Sequence, residues 1–132
     1  MSRRIAALCL TLFFALLVGC GEKNDAFAQN KARMVGTWQM TDYVDEAGKT
    51  YDFTDRQVIF TYNADGTGNK TVAGAVEYTL TFSYDGEHLY TTAAYPDTGK
   101  VQLRNDLCTA TEETLTVYSY DEKATITLCR VK

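Results

Sequence analysis

From Met34 onward, apolar and polar positions alternate in short runs, and no stretch keeps a 3.6-residue period. The clearest run is Val76-Glu77-Tyr78-Thr79-Leu80-Thr81-Phe82-Ser83-Tyr84. Its alternation predicts a strand with one buried face and one wet face. Further runs place strands at about 36–44, 56–62, 67–73, 76–84, 87–93, 99–108, 114–119 and 124–131. The separators carry turn chemistry. Asp65-Gly66 and Asp85-Gly86 suit tight hairpins, because both residue types tolerate positive φ. Ala73-Gly74-Ala75, Pro96-Asp97-Thr98-Gly99 and Tyr120-Asp121-Glu122-Lys123 are further turns. Connections this short force antiparallel neighbours in chain order. The expected fold class is all-β: an eight-stranded antiparallel up-and-down meander that closes into a small barrel and so removes its edges. The one long connection, Asp45 to Asp55, carries Tyr51 and Phe53. It is expected across one mouth, as a lid or short helix.

The parity of each run assigns faces. Val101, Leu103 and Leu107 share one side of their strand, and Gln102, Arg104, Asp106 and Cys108 share the other. In the last run Ile126, Leu128 and Arg130 share a side, opposite Thr125, Thr127 and Cys129. Cys108 and Cys129 thus both fall on the more polar side, which makes them a candidate disulfide. Two free thiols on neighbouring strands is the other reading. Tyr78 shares parity with Leu80 and Phe82 and belongs to the core, whereas Tyr51 and Tyr95, with Phe53, sit in connections as candidate external contacts.

The first nineteen residues follow a different pattern. Arg3 and Arg4 precede an apolar run from Ile5 to Val18. Fourteen helical residues rise about 21 Å, short of a ~30 Å hydrocarbon core, so a secretory signal peptide is favoured over a membrane span. The run ends Leu17-Val18-Gly19-Cys20, which resembles a bacterial lipobox. That resemblance implies cleavage before Cys20, with Leu17, Val18 and Gly19 read by the peptidase. It also implies a membrane anchor of diacylglyceryl and N-acyl chains on Cys20, since one chain alone binds only marginally. Gly21, in place of Asp, resembles the outer-membrane-directed class, so the expected location is the cell envelope. Residues 20–33 are polar and read as the lipidated Cys and a tether spanning roughly 20 Å. Residues 34–132 are the barrel domain.

Charge narrows the partners. Removing residues 1–19 takes away Arg3 and Arg4 and no acid, moving the formal charge from −4 to −6. An acidic domain argues against nucleic acid. Candidate chemistry is sparse. His88, the single histidine, opens a strand beside the Asp85-Gly86 turn and has no nucleophile or orienting carboxylate in a motif. Asn63 to Asn69 lacks the ligand pattern of a calcium loop and reads as a hairpin. Asp42, Asp45, Glu46, Asp52 and Asp55 read as a solvated acidic loop. No catalytic fingerprint is present. An enzyme, a metal site and a cofactor are therefore not expected.

Gly36-Thr37-Trp38 opens the first strand and Arg130 lies in the last. In a closed barrel these strands are neighbours, and the guanidinium can stack on the indole. This pairing, with Phe60-Thr61-Tyr62-Asn63-Ala64-Asp65-Gly66-Thr67, resembles the lipocalin and wider calycin families, and small bacterial lipoproteins with a lipocalin-like domain. The resemblance covers about Val35 to Val131. It implies a lipocalin-like barrel that holds a small apolar or amphipathic ligand at its mouth. The chain is short for a secreted lipocalin, so a barrel filled by its own side chains is the competing expectation. In that case the acidic 45–55 loop would serve as an interaction module, inhibitor or scaffold, for another envelope protein.

Overall fold

The computed structural model describes residues 28–132. Nine antiparallel strands follow in order: β1 (Gly36–Val44), β2 (Thr50–Asp52), β3 (Val58–Tyr62), β4 (Thr67–Val72), β5 (Ala75–Tyr84), β6 (His88–Ala94), β7 (Val101–Ala110), β8 (Thr114–Ser119) and β9 (Ala124–Arg130). Strands β3 to β9 form an up-and-down meander, and β1 pairs with both β3 and β9. The result is a closed eight-stranded barrel, with β2 as one extra short strand laid on the end of β1. Closure leaves the eight staves no free edge along their paired lengths. A 3₁₀ helix (Thr54–Arg56) follows β2 in the long connection.

The register separates two ends. The base is where β1 begins and β9 ends, with the 63–66, 85–87 and 111–113 turns. The mouth carries the 45–57, 73–74, 95–100 and 120–123 connections. Residues 28–34 are helical and belong to the base, which corrects the tether expected to extend to residue 33. Met34 is fully buried there, and its carbonyl accepts a 2.9 Å hydrogen bond from Trp38 Nε1. Met34 is the one large apolar side chain of a segment that otherwise shows no apolar periodicity.

Two bulges set which residues face inward. Between Met40 and Asp42 the β1–β9 register shifts by one residue. Without that shift, strict alternation after Trp38 and Met40 would turn Asp42 into the core. With it, Tyr43 faces in, opposite Ile126, and Thr41 Oγ1 donates to the Thr127 carbonyl at 3.2 Å. A second shift, at Lys70/Thr71, sets Lys70 opposite Tyr78 and Thr71 opposite Val76. Tyr78, Leu80, Phe82 and Tyr84 keep the alternation and are buried, but the bulge turns Val76 outward.

The two sides of β7 are the larger surprise. Its more polar side, with Arg104, Asp106 and Cys108, faces into the barrel, while Val101 and Leu103 stand 64% and 77% exposed. The cause is space at the base. Trp38, Met34 and Tyr84 crowd that end, and only the small Cys108 and Ala110 fit beside them. Tyr84 Oη fixes this register by donating to the Cys108 carbonyl at 2.9 Å. The alternation of β9 leaves Cys129 on the outer side, opposite Thr114. The two cysteines therefore lie on opposite faces of the barrel wall as free thiols, the second of the two readings, and the candidate disulfide is not formed.

Candidate functional site

The base is a plug built on Trp38 and Arg130. The guanidinium of Arg130 lies 4.2 Å from the Trp38 ring centroid. Its Nε donates to the Glu112 carbonyl at 2.7 Å, Nη1 to Val35 at 2.8 Å and Nη2 to Arg33 at 2.9 Å. Trp38 is fully buried. Gly36 is required beside it: its φ is +141°, and a Cβ there would run into the Arg130 guanidinium. The Gly-x-Trp sequence is thus explained by the arginine that closes over it. These donors are spent on backbone, so the base is structural.

Above the plug lies a cavity of about 200 Å³. Its two walls differ in chemistry. Strands β9, β1 and β3 contribute Ile126, Leu128, Met40, Tyr43, Val58 and Phe60. Strands β4 to β7 contribute Lys70, Tyr78, Leu89, Thr91, Arg104 and Asp106, and β8 adds Val117. Tyr62 reaches in from the base end, and Glu122 stands exposed at the mouth.

The polar wall is held by one buried pair. Arg104 Nε lies 3.4 Å from Asp106 Oδ2, and Arg104 Nη2 donates to Ser119 Oγ at 3.2 Å. Burial raises the Asp106 carboxyl above its ordinary range, and the Arg104 charge only partly opposes this. At Arg104 burial pulls downward and is the largest single effect, but Asp106, Tyr78 and Glu122 together outweigh it and raise the guanidinium above its ordinary value. Burial also lifts the phenols of Tyr62 and Tyr78 above their usual range. Lys70 Nζ is 2.6 Å from Glu77 Oε2 and 5.6 Å from the ring centroids of both Phe60 and Tyr78. The β4–β5 bulge makes this possible, because it inserts Glu77 at the rim beside the inward lysine.

The loop residues singled out by sequence divide at the mouth. Phe53 turns inward, lines the cavity and packs 5.9 Å from Tyr43, with Arg56 over its ring at 4.8 Å. Tyr95 also turns inward, 5.1 Å from Tyr78, and donates to Gln102 Oε1 at 3.1 Å. Tyr51 remains 37% exposed and donates to Asp45 Oδ2 at 3.3 Å. Phe53 and Tyr95 are therefore parts of the barrel and its rim rather than outward contacts. A tight connection carrying an aromatic ring lowers the free energy by burying that ring.

Other candidates are accounted for by local structure. Asp65 Oδ1 accepts from Thr67 N at 3.0 Å and Thr67 Oγ1 at 2.6 Å, the geometry of the hairpin. Asp52 and Asp45 accept backbone hydrogen bonds in their own loop. His88 Nδ1 lies 3.8 Å from Asp85 Oδ2 at the base, away from the cavity. No group of three or more His, Cys, Asp or Glu side chains is placed to hold a metal among the described residues. Cys20 and Leu17, Val18 and Gly19 lie outside the described residues.

Lys70, Thr91, Arg104 and Asp106 were not among the sequence candidates. On β7 the signal was present as a uniform polar parity. Nothing local indicated that this parity faces inward.

A family model described as a lipocalin-like domain matches residues 34–117. A search of the solved structures finds similarity to a lipocalin-like protein from Bacteroides uniformis, with a TM-score of 0.59 at 14% identity. The alignment covers 75% of this chain and 99% of that one. The curated proteins contain no match to this chain.

Proposed function

The chain belongs to the lipocalin-like domain family, and on that premise we propose that it is a membrane-anchored envelope lipoprotein whose barrel binds a small ligand in the 200 Å³ cavity. The observation that carries the ligand reading is the cavity itself. The barrel is plugged at the base by Trp38 and Arg130, yet its upper interior is left open and lined by both aromatic and charged side chains. Cavities for drug-sized molecules run to about 300 Å³ and more, so the ligand is smaller than these. Cations inside make an amphipathic ligand a better match than a purely apolar one. The proposed activity is binding and not catalysis.

The anchor rests on Leu17 to Cys20 and the apolar run before it. Signal residues 1–19 are removed, and Cys20 carries the acyl chains. Two measurements test the proposal. Native mass spectrometry of the gently purified protein should detect a small molecule that leaves on unfolding. A Cys20→Ser variant should leave the membrane fraction; retention there would sink the anchor.

A second reading is a protein contact, and one observation favours it. Tyr90, Val101 and Leu103 expose apolar surface on the outer face of β6 and β7. Under this reading, pull-down from cell envelopes should enrich one partner, and Leu103→Glu should abolish the enrichment.

A further inference from the structure

We propose that the upper edge of β7, Val101 to Asn105, pairs antiparallel with the same edge of a second copy of this chain. The pairing is independent of the ligand cavity, and it names the occupant for the outer surface on which the second reading rests.

Closure covers a stave's edge only along the length it shares with its neighbour. β7 has 10 residues and β8 has 6. Their pairing runs from Ala110 opposite Leu115 to Asp106 opposite Ser119 and stops there. β7 stays paired with β6 as far as Val101 opposite Ala94. The β6–β7 hairpin therefore overtops the last β8 pair by about 17 Å, at ~3.4 Å per residue. The bonds to β6 fix which way its backbone points. Cys108 N donates to the Glu87 carbonyl at 2.8 Å, and the Lys100 carbonyl accepts from Tyr95 N at 2.9 Å. Even-numbered residues of β7 thus turn their backbone groups to β6, and odd-numbered ones to the β8 side. Among the described residues the N–H and C=O groups of Val101, Leu103 and Asn105 have no backbone partner on that side. The usual guards of such an edge are proline, a bulge or a charged side chain. Here the register with β6 is regular, and the outward residues are Val101, Leu103 and Asn105. Arg104, the one charge, faces inward onto Asp106 and Ser119.

Two features select a second copy as the occupant. The first is the apolar match. In a two-fold pairing centred on Leu103, that leucine meets its own mate and Val101 meets Asn105. Leu103, 77% exposed, so gains a cross-strand partner. The second is charge. The same register sets Lys100, next to Val101, level with Asp106 of the copy, where the turn after Ser119 begins. Asp121 and Glu122 of that turn are exposed, as is Lys100, and none of the three is in an ion pair among the described residues. Each copy's lysine is thereby delivered to the other's acidic turn. The two-fold also reverses the barrel axis, so the copies meet at their mouth ends and their bases point apart. Resting on the anchor reading, the pair joins chains on two facing membranes.

The test uses the chain from residue 21 onward, which holds every strand and the whole buried core. Sedimentation equilibrium over micromolar to millimolar concentrations should show a reversible dimer, weak because the edge is short. Leu103→Pro removes an N–H that faces only the open edge. It should weaken the dimer about tenfold or more, through one lost hydrogen bond and one lost apolar contact, while the dilute monomer keeps its strand circular dichroism. Lys100→Glu and Asp121→Lys should each weaken the dimer, and the two together should restore it. Held by an amino-terminal histidine tag on phosphatidylcholine vesicles doped with nickel-chelating lipid, the same chain should cluster them, and Leu103→Pro should abolish the clustering. A monomer at every concentration, or a dimer indifferent to these variants, would overturn the edge pairing. A monomer that still captures another envelope protein through Leu103 would overturn the second copy and leave the second reading standing. Dimers without clustering would overturn the facing-membrane arrangement.

Discussion

Arg130 illustrates how much one side chain can close. It covers an indole and takes three carbonyls from segments far apart in sequence. Arg130→Met keeps the apolar stem and removes the fork. Loss of the stack and of three charged hydrogen bonds should cost roughly 2–4 kcal/mol, read from urea midpoints. Gly36→Ala should be destabilising for the same reason, because the pinned guanidinium cannot yield without breaking those bonds. The two thiols offer a second residue-level outcome. Burial, then the Asp106 charge, pushes Cys108 up to about 12, so it stays a neutral thiol at pH 8. Iodoacetamide at pH 8 should label exposed Cys129 in the folded protein, and Cys108 only after unfolding. The same shift has a sign for stability. Between 9.0 and about 12 the unfolded chain loses this proton while the folded chain keeps it. The stability it contributes is therefore present below pH 9 and lost as pH rises towards 12.

At the scale of elements, hairpins and bulges do different work. The Asp-Gly hairpins were legible because their chemistry is local. Asp65 accepts from Thr67, and Asp85 Oδ1 accepts from His88 N at 2.6 Å and Glu87 N at 2.8 Å. These bonds hold both carboxyls below their ordinary range. A lowered folded pKa gives stability that is present above about pH 4 and lost as pH falls through the folded value. Replacing both by Asn keeps an acceptor oxygen and removes the titration. The double variant Asp65→Asn with Asp85→Asn should therefore lose less stability between pH 7 and pH 2 than the parent does, by urea unfolding at each pH. The bulges were not legible. Each depends on which residue of the partner strand lies opposite, and no local pattern marks Thr41 or Glu77 as the extra one. Because side chains alternate with period two, one missed residue reverses every face beyond it. Val76 is such a case.

At the scale of the molecule, the short helix matters most. It brings residue 28 to the base, eight residues after Cys20. Eight residues reach at most about 27 Å. If Cys20 carries the proposed lipid, the base faces the bilayer and the mouth faces away from it. Single labels at Asn63→Cys, in the base, and Thr98→Cys, at the mouth, should report this in vesicles once Cys129 is replaced by Ser. A headgroup-borne quencher should dim the label at position 63 more strongly; equal quenching would refute the orientation. Ligand would then enter from the aqueous side.

The chain by itself determined the eight staves of the barrel, the hairpins, the closure of β1 on β9 and the Trp38–Arg130 plug, but not the extra strand β2. Those features follow from alternation, turn chemistry and the neighbourhood that a closed meander imposes on its first and last strands. Only the tertiary structure decided that β7 turns Arg104 and Asp106 inward, that Cys108 and Cys129 face opposite ways, and that Phe53 and Tyr95 belong to the rim. The first two share one physical reason, and the third follows from loop rings folding back onto the barrel. A strand's two faces are equivalent in its own sequence, and which one is buried is settled by the size of the side chains it meets across the barrel.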